Sequence, residues 1–286
     1  MKNKSAKNLE IPKYIKNTSK ILSKLHLKLA IRFALRLFET PIRFKLPKRE
    51  QKMFDVSQKT NFKLPQCQKE IVVYENVHGS KKVLLVHGWS GRGTQLVSIA
   101  KAFKELNYTI ISFDGPGHGK SPKTTTNMKD FIEAIFEMEK KYGVFDVIIG
   151  HSLGGMSVIN SLGRGLKARK AIIIGSGNKT EDIVISFLKN IGMKTNSASM
   201  FTKLFERKYN EKMSDYDVET HAKSVDIPVL IVHDHDDLEV PVQAAEQIHK
   251  KLACSQLLIT HKLGHRKILG DEKVIESILD FVESSN

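Results

Sequence analysis

Gly150-His151-Ser152-Leu153-Gly154-Gly155 is the stretch on which the fold turns. Before it runs Val144-Phe145-Asp146-Val147-Ile148-Ile149, which reads as a buried strand. After it runs Met156-Ser157-Val158-Ile159-Asn160-Ser161-Leu162, which reads as a helix. A strand that turns into a helix through G-x-S-x-G is a nucleophile elbow. The turn is so tight that a Cβ two places before or after the serine would clash, hence the glycines. Such a turn lifts Ser152 Oγ to the carboxyl edge of a sheet. It also leaves the Leu153 N–H at a helix N-terminus, where it can face an oxyanion. The bland alternative is a glycine-rich turn with a solvated serine, and the rest of the chain must decide between the two.

Outward from the elbow, apolar runs alternate with helical patterns. Strands are expected at Glu70–Glu75, Val83–His87, Thr109–Phe113, Lys170–Gly175, Pro228–His233 and Gln256–Thr260. Helices are expected at Gln95–Leu106, Met128–Tyr142, Val242–Leu252 and Glu272–Glu283. Continuous apolar strands separated by helices predict an α/β fold, a mostly parallel, doubly wound sheet covered on both faces. Residues 176–226 interrupt the alternation and are too long for a loop. They carry helix-like apolar patches (Ile183, Phe187, Leu188, Ile191; Met200, Phe201, Leu204, Phe205). They begin just past a strand's carboxyl end, where ligands bind in open α/β sheets. A small helical cap is therefore expected there, with a decorative surface insertion as the alternative. The resulting division is an arm over 1–68, a core over 69–175 and 227–286, and a cap over 176–226.

The net charge of +15 is unevenly placed. The first 50 residues hold 14 Lys/Arg against Glu10, Glu39 and Glu50, a net of +11, which leaves +4 for the other 236. Basicity thus belongs to the arm. Residues 1–18 are rich in Lys and Asn and are expected to be loose. A helix is expected over 19–39, where Lys20, Lys24, Lys28, Arg32 and Arg36 recur every fourth residue. From Leu27 to Phe38 the apolar residues cover most of the circumference, so that arc must be buried in something. The favoured partner is the sheet's own apolar surface, within reach of an extended tether at 41–68. The alternative is an anionic membrane surface. Nucleic acid is not expected, because the basic stripe lacks interleaved aromatics. Cys67 and Cys254 are far apart, outside any C-x-x-C spacing, and point to a reducing compartment. With no signal-peptide pattern and no spanning segment, the expected location is cytoplasmic, peripheral to the inner face of the membrane if the arm binds lipid.

A serine nucleophile needs a base, an orienting carboxylate and two oxyanion donors. In the chain order Ser, acid, His, the acid should follow a later strand, and His233-Asp234-His235-Asp236-Asp237-Leu238-Glu239-Val240-Pro241 offers three aspartates there. The base should follow the last strand, where Leu263-Gly264-His265 lies. His265 stands 28 residues after Asp237, one strand–helix repeat. The second oxyanion donor should come from His87-Gly88-Trp89-Ser90-Gly91, with the Trp89 N–H in place. No metal is expected: His233, Asp234, His235 and Asp236 are consecutive, so their side chains diverge. No cofactor is expected either, because Gly115-Pro-Gly-His-Gly lacks the dinucleotide spacing.

The HGWSG loop, the segment Asp114-Gly-Pro-Gly-His-Gly-Lys-Ser121, the elbow and the Asp/His pair occur in one order. Over residues 70–284 this resembles the α/β-hydrolase superfamily. The first 68 residues match no motif. The resemblance implies that the catalytic acid stands three places before Val240-Pro241, as Asp237, with Asp234 and Asp236 as lesser neighbours. It implies Ser152 as nucleophile and His265 as base. A serine at the elbow, where dehalogenases and epoxide hydrolases of this fold carry Asp, implies acyl transfer on a small-molecule acyl ester. Thioester or acylglycerol cleavage at a membrane surface is an alternative. Non-hydrolytic ligand binding on the same fold is the alternative from another class.

Overall fold

The computed structural model describes residues 11–284. Of the stretch 1–18 expected to be loose, residues 1–10 lie outside the described residues, and the chain is helical from Lys13 onward. In chain order the chain forms α1 (Lys13–Leu25), α2 (Leu27–Phe38), α3 (Lys48–Val56), β1 (Gln58–Lys63), β2 (Glu70–Asn76), β3 (Lys82–Val86), α4 (Val97–Glu105) and β4 (Thr109–Asp114). It continues through α5 (Met128–Tyr142), β5 (Phe145–His151), α6 (Leu153–Gly163), β6 (Ala168–Ile174), α7 (Thr180–Asn190), α8 (Ala198–Tyr209) and α9 (Val218–Ala222). It ends with β7 (Val229–Asp234), α10 (Gln243–His249), β8 (Ser255–Thr260), α11 (Gly264–Lys267) and α12 (Glu272–Glu283). Two compact units result: residues from Thr40 to Lys179 with those from Tyr216 onward, and the residues up to Glu39 with Thr180–Asp215.

The first unit is an eight-stranded sheet in the order β1-β2-β4-β3-β5-β6-β7-β8. β1 and β2 run antiparallel, as do β2 and β4, and every other pair is parallel. The parallel strands are apolar throughout because helices cover both faces. Val83, Leu85, Val147, Ile149, Ile172, Ile174, Leu230 and Val232 bury one face with Ile99 and Phe103 of α4 and Ile278 and Phe281 of α12. Their alternates along the strands, such as Leu84, Ile148 and Ile173, point to the opposite face, and α6 packs on β3, β5 and β6.

One expectation about the arm needs correction in this unit. The stretch 41–68 is no extended tether. It contains α3, whose Met53 joins the core, and β1, which pairs with β2 in register from Gln58↔Glu75 to Lys63↔Glu70. Strand β1 escaped notice because Gln58-Lys59-Thr60-Asn61-Phe62-Lys63 is polar, and its exposure along nearly the whole length is that of an edge strand carrying lysines. Buried Glu50 of α3 accepts from Thr94 Oγ1 at 2.8 Å and pairs with Arg92 at 3.4 Å.

The second unit buries only part of the apolar arc of Leu27–Phe38, since Leu27 and Leu29 stay 39% and 47% exposed, and the partner is the insertion where the sheet's surface was expected. Ala30, Ile31, Ala34 and Leu35 of α2 share one core with Val184 and Leu188 of α7 and with Phe201 and Phe205 of α8. Phe38 lies edge-on to Phe187 and Phe201, with ring centroids 5.1 and 5.3 Å away. Amphipathic helices from two distant stretches thus hide one another's apolar faces. Glu39, at the C-terminus of α2, is buried and receives Lys208 Nζ at 2.6 Å and Tyr209 OH at 2.5 Å. The single helix expected over 19–39 is in fact two. Pro12 precedes the first, and the chain breaks at His26 (φ −157°, ψ 94°), whose Nδ1 accepts the Leu29 N–H at 3.3 Å and caps the second.

Candidate active site

Ser152 sits between β5 and α6 with φ +53° and ψ −116°, a backbone conformation that β-carbon residues avoid. The glycines beside it are obligatory for packing. A Cβ on Gly150 would collide with the Gly154 carbonyl, and one on Gly154 with the Val86 carbonyl at the end of β3. The Ser152 N–H is tied to the Ile174 carbonyl at 2.9 Å, which fixes the elbow to the end of β6. Leu153 is the first residue of α6, so its N–H has no acceptor within the helix.

Asp237 and His265 come together from the loops after β7 and β8. His265 Nδ1 donates to Asp237 Oδ2 at 2.7 Å, and both residues are buried. Asp237 Oδ1 accepts the N–H groups of Glu239 (2.8 Å) and Val240 (3.0 Å). Burial alone would raise the Asp237 pKa. The hydrogen bond and charge of His265, with the two backbone donors, hold it below the usual carboxylate value. In the neutral ring, a carboxylate accepting from Nδ1–H selects the tautomer whose lone pair is on Nε2. His265 is joined to the turn at Ser152 through His151, whose Nε2–H donates to the His265 carbonyl at 2.9 Å. Gly175, at φ +58°, closes the other side: a Cβ there would stand 3.2 Å from His265 Nδ1.

The loop bearing Trp89 lies against the same elbow. A Cβ on Gly88 would stand 3.0 Å from Ser152 Cβ. Two buried histidines hold this loop to the one after β4. His87 donates from Nδ1 to the Gly88 carbonyl (2.7 Å) and accepts the Gly115 N–H at Nε2 (2.9 Å). His118 accepts the Ser90 N–H at Nε2 (3.0 Å) and donates from Nδ1 to the Pro116 carbonyl (3.0 Å). Each needs a neutral ring, and burial supplies it: the His118 pKa falls to about 4, and that of His87 lies well below the ordinary imidazole value. Asp114 completes the clamp by accepting from Gly93 N (2.6 Å), Lys120 N (2.6 Å) and Tyr74 OH (2.8 Å).

Asp234, expected to be a lesser neighbour, carries much of the scaffold. It is fully buried. Its Oδ1 accepts from Asp236 N (3.0 Å) and Gly264 N (2.9 Å), and its Oδ2 from Thr260 Oγ1 (2.7 Å) and Leu263 N (3.1 Å). One carboxylate thereby stitches the loop after β7 to the loop after β8. Burial pushes its pKa up, but these four donors outweigh it and hold the group below its ordinary value. His87, His118, His151 and His233 were also missed as structural parts. A signal was available for three of them: His151 and His233 lie at strand ends, and His87 opens the loop after β3.

Comparison with known proteins follows this geometry. A family model described as "Alpha/beta hydrolase family" matches residues 83–192, and one described as "TAP-like protein" matches residues 208–285. The chain is 27% identical over 197 residues to the lysophosphatidylserine lipase ABHD12 of Danio rerio, covering 63% of this chain and 50% of that protein. It spans half or less of the length of the curated relatives it matches. An esterase from Exiguobacterium antarcticum superposes with a TM-score of 0.63 at 20% identity, covering 79% of this chain and 100% of its own. A Pyrococcus furiosus esterase superposes with a TM-score of 0.65 at 14% identity, covering 85% and 96%.

Proposed function

We propose, from the premise that this chain belongs to the α/β-hydrolase superfamily, that it is a serine hydrolase of carboxylic esters working through an acyl-enzyme. The observation that carries the reading is the 2.7 Å Asp237–His265 pair, buried and joined through His151 to a glycine-flanked Ser152 at positive φ. In this reading His265 Nε2 takes the Ser152 Oγ proton as the oxygen attacks the acyl carbon. The Leu153 and Trp89 N–H groups stabilise the oxyanion, each contributing about 3–4 kcal/mol in the transition state. The proton on Nε2 passes to the leaving alkoxide. Water, deprotonated by the same nitrogen, then releases the acid and restores Ser152. Asp237 holds the tautomer and stabilises the imidazolium. Cys67 is a poor competing nucleophile, because burial pushes its thiol up to about 12.

A fluorophosphonate probe should label Ser152, and Ser152→Ala should abolish labelling and cost on the order of 10⁴–10⁶ in turnover on p-nitrophenyl esters. Labelling at another serine, or turnover retained in the variant, overturns the assignment. If Ser152 labels but no ester or thioester from two to sixteen carbons turns over, the fold serves ligand binding.

A lipid-like acyl substrate at a membrane surface is the second reading, and one observation favours it. Tyr14, Ile21 and Leu25 are 70%, 57% and 78% exposed and fall within about 40° of one another around α1. From Lys13 to Phe38 there are seven Lys/Arg and no acidic residue. No described helix is long and apolar enough to cross a membrane. Such a face suits the interface of an anionic bilayer, and the relation to a lysophospholipid lipase fits the same substrate class. Co-sedimentation with phosphatidylglycerol vesicles that weakens with salt, and is lost in Ile21→Glu/Leu25→Glu, is the expected result. Equal binding by the variant overturns it. With two unpaired cysteines, the cytoplasm is the compartment proposed.

A further inference from the structure

We propose that His235, Asp236 and His261 form a binding site for one divalent ion of the zinc class, on the outer side of the loops that carry Asp237 and His265. The site follows from sheet register. β7 and β8 pair in parallel with His233↔Ile259 and Asp234↔Thr260 as partners, so the next step places His235 opposite His261. The His235 N–H donates to the Thr260 carbonyl at 2.8 Å, which carries the ladder on to that step. Two residues at matching positions on neighbouring parallel strands leave the same face about 4.8 Å apart. Their rings accordingly lie with centroids 5.2 Å apart.

Asp236 turns toward this pair. Its Oδ1 is 3.6 Å from His235 Nδ1, while its Oδ2 accepts the Lys262 N–H at 2.8 Å. One carboxylate oxygen is thus anchored to the base loop, and the other faces the imidazoles. One donor atom from each of the three residues lies within 4.8 Å of the others. Ligand atoms around a tetrahedral zinc stand about 3.3–3.4 Å apart, from bonds of about 2.0–2.1 Å. The exposed side chains (60% for His235, 52% for Asp236) close that gap by small rotamer adjustments. Two imidazoles and one carboxylate favour Zn²⁺, Ni²⁺ or Cu²⁺ over Ca²⁺ and Mg²⁺, which require mostly oxygen ligands. The fourth position is left to water.

The consecutive run His233 to Asp236 fails as a metal set because its side chains diverge: His233 and Asp234 are buried and bonded inward, to the Val240 carbonyl and the 260–264 segment. The third ligand comes from 25 residues further on, through the sheet. An ion here would clamp the loop after β7 to the loop after β8, which Asp234 already joins from the inside. If those loops hold the acid and base as proposed above, the ion would also tune that pair. The test does not depend on that reading, because it measures binding and thermal stability.

The experiment uses the full, tag-free chain stripped with EDTA and titrated with Zn²⁺ by calorimetry, with melting temperatures recorded alongside. One equivalent of Zn²⁺ should bind and raise the Tm, while Mg²⁺ and Ca²⁺ should do neither. His261→Ala and His235→Ala should each weaken Zn²⁺ binding roughly tenfold or more and lose the Tm rise, with circular dichroism unchanged in the metal-free state. Asp236→Asn should weaken it as well. Absence of stoichiometric Zn²⁺ binding by the parent, or parent-like binding in both histidine variants, overturns the site. Should one histidine variant misfold, the other decides.

Discussion

The two units of this chain are held together in opposite ways. The sheet unit gathers buried polar side chains at the carboxyl ends of its strands, and nearly every one has a specific partner: Asp114 with three donors, Asp234 with four, His87 and His118 with a donor and an acceptor each. The helical unit has an apolar core with one buried charged knot, Glu39 with Lys208 and Tyr209. Directional hydrogen bonds fix atoms to within tenths of an ångström and tolerate no isosteric mismatch. Apolar packing is non-directional and tolerates repacking at constant volume. The first kind of order suits chemistry, and the second suits a surface that has only to exist.

If that contrast is right, the largest single effect belongs to a polar change that leaves volume alone. Asp237→Asn should lower turnover by about 10⁴ with little loss of stability, because the amide donates where His265 needs an acceptor. Steady-state rates beside a urea melt would measure it, and a crippled Asp236→Asn with an active Asp237→Asn would move the acid by one residue. In the helical unit the effect should fall on stability. Phe201→Ala removes a fully buried ring and should cost about 3–5 kcal/mol in denaturation, while Ser152 keeps its fluorophosphonate labelling. Loss of labelling would join the two kinds of order.

Asp234→Asn sharpens the comparison further. It keeps the shape but turns an acceptor into a donor facing buried N–H groups, and should cost about 1–3 kcal/mol. A drop in kcat with KM unchanged would mark Asp234 as a positioning residue for the His265 loop. A neutral result would mean that the four bonds are replaceable.

The last effect is graded with pH. His118 and His151 have pKa values lowered to about 4 and about 3 by burial, and His87 and His233 are lowered too. A depressed imidazole is neutral when folded and takes up its proton only on unfolding. Between the unfolded value near 6.5 and the folded value, the unfolded chain therefore binds more protons, and stability falls as pH falls. Each histidine contributes at most about 1.4 kcal/mol per pH unit in that window. Urea midpoints from pH 7 to pH 5 should decline, and His118→Gln should reduce the slope. A flat profile would show that these rings stay neutral when unfolded or are solvated when folded.

The difference between the units also explains what could be read in advance. The turn at Ser152 and the loops at His87 and Asp114 were legible because short motifs carry their geometry locally: a turn that only glycine permits, followed by a helix start, needs no distant partner to be recognised. His265 was placed as a candidate by chain order and by its spacing from Asp237. The parallel strands were legible from apolar runs bounded by turns. β1 was not, because an edge strand needs no apolar face and its identity lies in its pairing with β2. The role of Asp234 was not, because its acceptors are spent on one O–H and two N–H groups 26 to 30 residues away. Sequence alone determined that the apolar arc within Leu27–Phe38 needs a partner, since hydrophobicity is a property of the side chains themselves. Only the tertiary structure decided which, because any apolar face of matching shape would serve, and Val184, Phe201 and Phe205 are the ones that the chain brings to it.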